Sequence, residues 1–240
     1  MNVKLDIYRR NPELSEEGRR QVYSVEVEPT DRILDALMYI AGNVDGTLAF
    51  RKSCAHGICG SDAMRISGKE RLACKTLIRE VAKNAGDVIT IDPLSNMKIQ
   101  KDLMVNQTEF FTKFRSVEPF LKPWGAPPEF AEYVQSPEAR ELIDEATKCI
   151  NCGACYSACP VLTANPNFIG PATLVAAARF CFDSRDKGLA ERLKILNHPD
   201  AVWPCENHFN CSRVCPRSIR VTRLINLLKR AIKNELKDKP

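Results

Sequence analysis

Ten of the eleven cysteines in this 240-residue chain stand in three short arrays, and their spacing constrains the fold more than any other feature. The middle array reads Cys149-Ile-Asn-Cys152-Gly-Ala-Cys155-Tyr-Ser-Ala-Cys159-Pro160, a C-x2-C-x2-C-x3-C-P run. Two residues between ligands let three thiolates wrap one corner of a cubane iron–sulfur cluster. Gly153 and Ala154 are small enough for backbone N–H groups to approach the sulfides. Pro160 turns the chain away after the fourth cysteine, toward a second cluster. The last array, Cys205-Glu-Asn-His208-Phe-Asn-Cys211-Ser-Arg-Val-Cys215-Pro216, keeps the same frame but has His208 in the middle cysteine's place.

In two-cluster ferredoxins the fourth cysteine of each run ligates the other run's cluster. That rule gives Cys149, Cys152, Cys155 and Cys215 a full four-thiolate set for [4Fe–4S]. It leaves Cys159, Cys205 and Cys211 as a three-thiolate set, which suits [3Fe–4S]. His208 has two readings. It is either a fourth ligand, giving a second [4Fe–4S] of mixed ligation, or a polar residue beside a three-iron cluster. Imidazole ligation of a cubane is uncommon, which favours the second. Zinc competes for the same residues, since eight Cys or His positions could hold two zinc ions. A triple run ending in Cys-Pro is more restrictive than the paired C-x2-C knuckles of zinc modules, so iron–sulfur is the reading adopted.

The first array is Cys54-Ala-His-Gly-Ile-Cys59-Gly-Ser-Asp62, followed by Cys74. It matches the plant-type C-x4-C-x2-C…C pattern of [2Fe–2S] sites, with Asp62 in the third cysteine position. Gly57 and Gly60 let the loop curl so that amides point at bridging sulfides. Asp62 is either a hard oxygen ligand to iron or a solvated acid with water completing the site; ligation is preferred. His56 reads as a surface residue. Cys181, in the apolar stretch Ala176-Ala-Ala-Arg-Phe-Cys-Phe, reads as a buried small hydrophobe.

Around these arrays the patterning changes along the chain. Val3, Leu5 and Ile7 alternate with Lys4, Asp6 and Tyr8, and Tyr23, Val25 and Val27 alternate likewise, which predicts two strands of a hairpin. A helix capped by Thr30 or Asp31 follows, with Ile33, Leu34, Leu37, Met38 and Ala41 as its apolar stripe and Gly42 at its end. Further strands are expected at 63–66 and 88–91. Pro119, Pro123, Pro127, Pro128 and Pro137 punctuate a connector with a short helix around 101–114. Helices are expected at 138–147, at 172–182 behind Pro171, and across Val221, Leu224, Ile225, Leu228, Ala231 and Ile232. The expected fold class is α+β. An N-terminal β-grasp [2Fe–2S] ferredoxin-like domain spans 1–105, and an all-α domain of the bacterial two-cluster ferredoxin type spans 106–240.

The odd cysteine count and the short-range clustering fit metal ligation in a reducing compartment rather than a disulfide framework. No signal peptide is visible, and no apolar run approaches the roughly 20 residues of a membrane span. The net charge of +5 is uneven: from Arg217 onward there are eight Lys or Arg against Glu235 and Asp238. Such a segment suits nucleic acid, an anionic surface or an acidic partner, or is simply a solvated helix face.

Taken together, the sequence closely resembles the iron–sulfur subunit of succinate dehydrogenase and its relative fumarate reductase. The resemblance extends beyond the cysteines to Arg51-Lys-Ser-Cys54, Arg71-Leu-Ala-Cys74, Phe168-Ile-Gly-Pro171-Ala, and Arg179-Phe followed by Asp183-Ser-Arg-Asp186. It implies a flavoprotein partner with covalent FAD that oxidises succinate. It further implies a relay through [2Fe–2S], [4Fe–4S] and [3Fe–4S], and a quinone bound against a membrane anchor that often carries haem b. By the same resemblance the subunit sits on the cytoplasmic face of the cell membrane, has no nucleic-acid partner, and holds no catalytic residue of its own. The same wiring serves fumarate reduction. Two positions depart from the family: Val161, Leu162, Thr163 and Ala164 follow Pro160 where many members have a tryptophan, and Glu206 replaces a frequent histidine. Pro160 and His208 are therefore the residues expected nearest the quinone.

Overall fold

The computed structural model describes residues 1–14, 17–127 and 132–237. The expectations that touch Pro128, Asp238 and Lys239 lie outside the described residues. From the N-terminus the elements are β1 (Asn2–Arg9), β2 (Arg19–Glu26), α1 (Ile33–Tyr39), β3 (Ala63–Ile66), β4 (Lys69–Leu72), α2 (Ile78–Val81), β5 (Val88–Asp92), β6 (Ile99–Lys101) and β7 (Met104–Val105). Helices follow: α3 (Thr108–Arg115), α4 (Pro137–Thr147), α5 (Ala154–Ser157), α6 (Pro160–Ala164), α7 (Pro171–Cys181), α8 (Leu189–Leu196), α9 (Asn210–Arg213) and α10 (Val221–Lys237). Two compact units result. The first is Met1–Gln107 together with Ile150–Ala158; the second is Thr108–Cys149 together with the chain from Cys159 onward.

The first unit is built on a mixed five-stranded sheet in the order β2-β1-β5-β3-β4. Alternation in β1 puts Val3, Leu5 and Ile7 wholly out of solvent. Val3 lies opposite Val25 and Leu5 opposite Tyr23 in the antiparallel neighbour, while Leu5 and Ile7 pair in register with Ile89 and Ile91 of the parallel one. Each such buried aliphatic contributes roughly 1.5–3 kcal/mol. β3 and β4 form a hairpin around Ser67 and Gly68, both at positive φ, the backbone that two-residue hairpin turns require.

Three local expectations are corrected here. The cap of α1 is Arg32, not Thr30 or Asp31, and its N–H donates to the Asp35 carboxylate at 2.9 Å. The Asp31 carboxylate is already engaged by the Glu28 N–H at 2.8 Å. Gly42 does not end the helix; a wider π turn continues it over Ile40–Val44, and Met38 stays exposed while Ala36 joins Ile33, Leu34 and Leu37 in the core. The helix expected around 101–114 begins only at Thr108, because the β6–β7 hairpin occupies 99–105. Its turn residue, Asp102, is buried and accepts from the Arg10 and Ala49 N–H groups, which fixes it as a turn.

In the second unit α7 is the central helix, contacted by α3, α4, α8 and α10. Its small residues Ala172, Ala176, Ala177 and Ala178 are all buried and let the neighbours approach closely. Pro171 occupies the first turn, where its missing N–H costs nothing. Burial pushes the Cys181 thiol up to about 12, as befits a cysteine used as a hydrophobe. α10 turns Val221, Leu224, Ile225, Leu228 and Ile232 inward and leaves Arg223, Arg230, Lys233 and Lys237 exposed. Beside α8, Arg192 and Asp186 form a fully buried ion pair at 2.6 Å, and the guanidinium also donates to the carbonyls of Val117, Glu118 and Phe120.

Candidate metal centres

The loop between α1 and β3 is shaped to present backbone N–H groups to sulfur. Ala55, Gly57 and Gly60 all have positive φ, which curls the chain around Cys54. The Cys54 Sγ accepts from the N–H groups of His56 at 3.5 Å, Ile58 at 3.4 Å and Cys59 at 3.2 Å. Those donors, His56 first, lower the Cys54 thiol to about 6, so it is a thiolate at neutral pH. The Cys59 Sγ accepts from the Cys54 N–H at 3.5 Å and lies 3.1 Å from the Ser61 hydroxyl. The His56 ring is exposed and turned to the Cys54 carbonyl rather than to the sulfur atoms.

Asp62 and Cys74 meet on the inner side of this loop. Asp62 is 2 % exposed. Its Oδ2 accepts from the Cys74 N–H at 2.5 Å, while its Oδ1 is buried without a hydrogen-bond partner. A buried carboxylate oxygen left unpaired costs about 1–3 kcal/mol or more, so such an atom calls for a cation. The Cys74 thiol is pushed up to about 12, by burial first and then by the Asp62 carboxylate. Cys54, Cys59, Asp62 and Cys74 are a set of three sulfur donors and one oxygen donor that fits an iron core.

Cys152 and Cys155 belong to the same unit, on the segment Ile150–Ala158. Four hydrogen bonds hold that segment. The Ser157 hydroxyl accepts from the Ser95 N–H at 2.8 Å and donates to Glu70 at 2.9 Å, and the Asn96 amide donates to the carbonyls of Tyr156 and Ser157. Gly153, at φ +80, fits against Leu94 and Met97. The segment also abuts the first loop: a Cβ at Gly60 would lie 2.6 Å from the Cys152 Cβ. Cys149 and Cys215 lie in the second unit, at the end of α4 and after α9.

Cys159, Cys205 and Cys211 come together in the second unit, lining one pocket open to solvent. Cys159 is the N-cap residue of α6, and the nearby Leu162 and Val161 amides partly offset the effect of burial on its thiol. Burial raises the thiols of Cys159 and Cys211, and the neighbouring sulfur of Cys205 adds to both shifts. Three cysteine sulfurs gathered at one pocket are a donor set that would suit an iron–sulfur core, whose positive charge would favour their deprotonated form. Pro160 and His208 also line the pocket. The His208 Nε2 sits 3.1 Å from Glu206 at the exposed rim.

Some neighbours of this pocket carry no signal in the sequence. The Thr222 hydroxyl lies 3.5 Å from the Cys211 Sγ, and Lys229 donates to the Cys205 carbonyl at 2.7 Å. Both come from α10, brought in by helix packing. The left-handed backbone at Asn207 and Phe209 shapes the loop between Cys205 and Cys211.

A 2Fe-2S iron-sulfur cluster binding domain family matches residues 4–112, and a 4Fe-4S dicluster domain family matches residues 145–219. The fumarate reductase iron-sulfur subunit of Mycobacterium tuberculosis (strain CDC 1551 / Oshkosh) is 37% identical over 218 residues, covering 90% of this chain and 87% of its own length. That of Haemophilus influenzae (strain ATCC 51907 / DSM 11121 / KW20 / Rd) is 35% identical over 237 residues, covering 94% and 90%. Among solved structures, a chain of the Mycobacterium smegmatis Sdh1 complex in the apo form superposes with a TM-score of 0.84 at 25% identity, covering 99% of this chain and 98% of that one.

Proposed function

This chain belongs to the iron–sulfur subunits of the succinate dehydrogenase and fumarate reductase family, and from that premise we propose that it relays electrons from the FAD of a flavoprotein subunit to quinone at a membrane anchor. The residues that would hold [2Fe–2S] are Cys54, Cys59, Asp62 and Cys74. Those for [4Fe–4S] are Cys149, Cys152, Cys155 and Cys215, and those for [3Fe–4S] are Cys159, Cys205 and Cys211. When bound, these groups supply one-electron transfer, each donor being oxidised as its acceptor is reduced, with no bond made or broken in the chain.

The observation that carries this reading is the arrangement of the donors. Cysteine sulfurs stand in separate sets, and backbone N–H groups are aimed at Cys54 and Cys59. The chain's own work is to hold anionic sulfur at fixed positions and to offer amide dipoles that favour the charged form. Pro160 and His208, at the pocket holding Cys159, are the residues proposed to lie nearest quinone. No described helix is long and apolar enough to cross a membrane, in keeping with attachment through an anchor subunit, with or without haem b. We place the subunit on the cytoplasmic face.

The direction proposed is succinate oxidation with quinone as acceptor. The fumarate-reducing direction is the second reading, favoured by the names of the curated relatives. Steady-state assay of the purified complex decides. Faster succinate-driven quinone reduction than quinol-driven fumarate reduction supports the first direction, and the reverse order refutes it.

A further inference from the structure

We propose that Gly60 is a positioning residue, setting how closely the loop of Cys54 and Cys59 approaches the cysteine run that carries Cys152. The inference rests on the cluster assignments above. Gly60 is buried, at φ +68, and follows Cys59 directly. A Cβ there would meet not only the Cys152 Cβ at 2.6 Å but also its Cα at 3.0 Å and the Ile150 carbonyl oxygen at 3.2 Å. Two of those atoms are backbone, which does not move aside as a side-chain tip does.

Nor is the run free to retreat. Ser157 and Asn96 tie it to the 95–96 turn, and Gly153 is seated against Leu94 and Met97. Any side chain at 60 must therefore strain this contact or widen it. Gly57 is the informative comparison. It lies in the same loop at φ +83, but its Cβ would meet only the flexible Lys75 side chain, at 2.8 Å. Alanine at either position forces a disfavoured φ, and only alanine at 60 pushes on the neighbouring cysteine run. The absence of a side chain at 60 is what lets two ligand-bearing loops touch, and transfer between positioned groups falls steeply with misplacement.

The test measures spin relaxation of the reduced [2Fe–2S] signal in the purified complex, with [4Fe–4S] oxidised and then reduced. Relaxation of the native signal is expected to quicken when the second cluster is reduced. In Gly60→Ala, with both clusters loaded at native potentials, that quickening is expected to be weakened. In Gly57→Ala it is expected to persist. Native relaxation behaviour in Gly60→Ala, or equal weakening in Gly57→Ala, overturns the proposal. Absence of either signal from the native complex overturns the cluster assignment itself. If Gly60→Ala loads no cluster, the Asn96→Ala/Ser157→Ala double variant takes its place. Releasing the run there must also weaken the quickening, and unchanged quickening overturns the proposal.

Discussion

Replacing Asp62 by Asn separates a ligand from a merely buried polar residue. The Oδ2 of Asp62 accepts the Cys74 N–H, and an asparagine carbonyl keeps that bond. What changes is Oδ1, buried and without a hydrogen-bond partner, which becomes a neutral N–H2. In the cluster-free chain the change removes an unpaired buried acceptor worth about 1–3 kcal/mol and adds an unpaired donor of similar cost. The expected net effect on stability there is within about 1 kcal/mol of zero. In the loaded protein the same change deletes a ligand, and binding energy at a metal site is folding energy. The sign of the asymmetry is the prediction: little loss without iron, and a large loss of [2Fe–2S] content and thermal midpoint with it. Iron and sulfide analysis, EPR of the reduced protein, and urea titration with and without cluster check it. Native [2Fe–2S] content and an unaltered EPR spectrum in Asp62→Asn would refute the ligand role.

Other predictions concern the scaffold and the pocket rim. Asp186→Ala strands the fully buried Arg192 charge and is expected to cost about 3–5 kcal/mol, read as a lower urea midpoint. His208→Ala is expected to leave the [3Fe–4S] signal intact while slowing quinone reduction; unchanged quinone kinetics would rule out its role beside the quinone. Hydrogen bonds from Thr47, Tyr23 and Arg9 hold the Asp45 carboxyl well below its ordinary value of 3.8. Its stabilising contribution is therefore full above that value and lost as pH falls below it. Asp45→Asn should flatten the acid limb of a stability-against-pH curve, modestly, because Asp45 is partly solvated.

The parts of this molecule visible in its sequence are those with a period or a fixed spacing. Two-residue alternation revealed β1 and β2, and the 3.6-residue stripe revealed α10, because burial on one side leaves that imprint. Cysteine spacing revealed the two kinds of iron–sulfur domain, because cluster geometry dictates loop length. β4 was missed: Lys69–Leu72 is four residues long with three polar members, and only the Ser67-Gly68 turn hinted at it. The α1 cap was misplaced because the Asp31 side chain serves the preceding turn. Nothing local shows that residues 150–158 belong with the N-terminal sheet, or that Thr222 and Lys229 reach the pocket of Cys211 and Cys205. Those are products of tertiary packing between segments distant in sequence.

The central claim is that Cys159, Cys205 and Cys211 alone hold the last cluster, so that the chain carries three clusters of different kinds. EPR of the air-oxidised complex, combined with an iron count, tests it most directly. The account predicts an oxidised-state [3Fe–4S] signal and about nine iron atoms per chain. A silent oxidised spectrum with about ten iron atoms and a second [4Fe–4S] signal on reduction would contradict it.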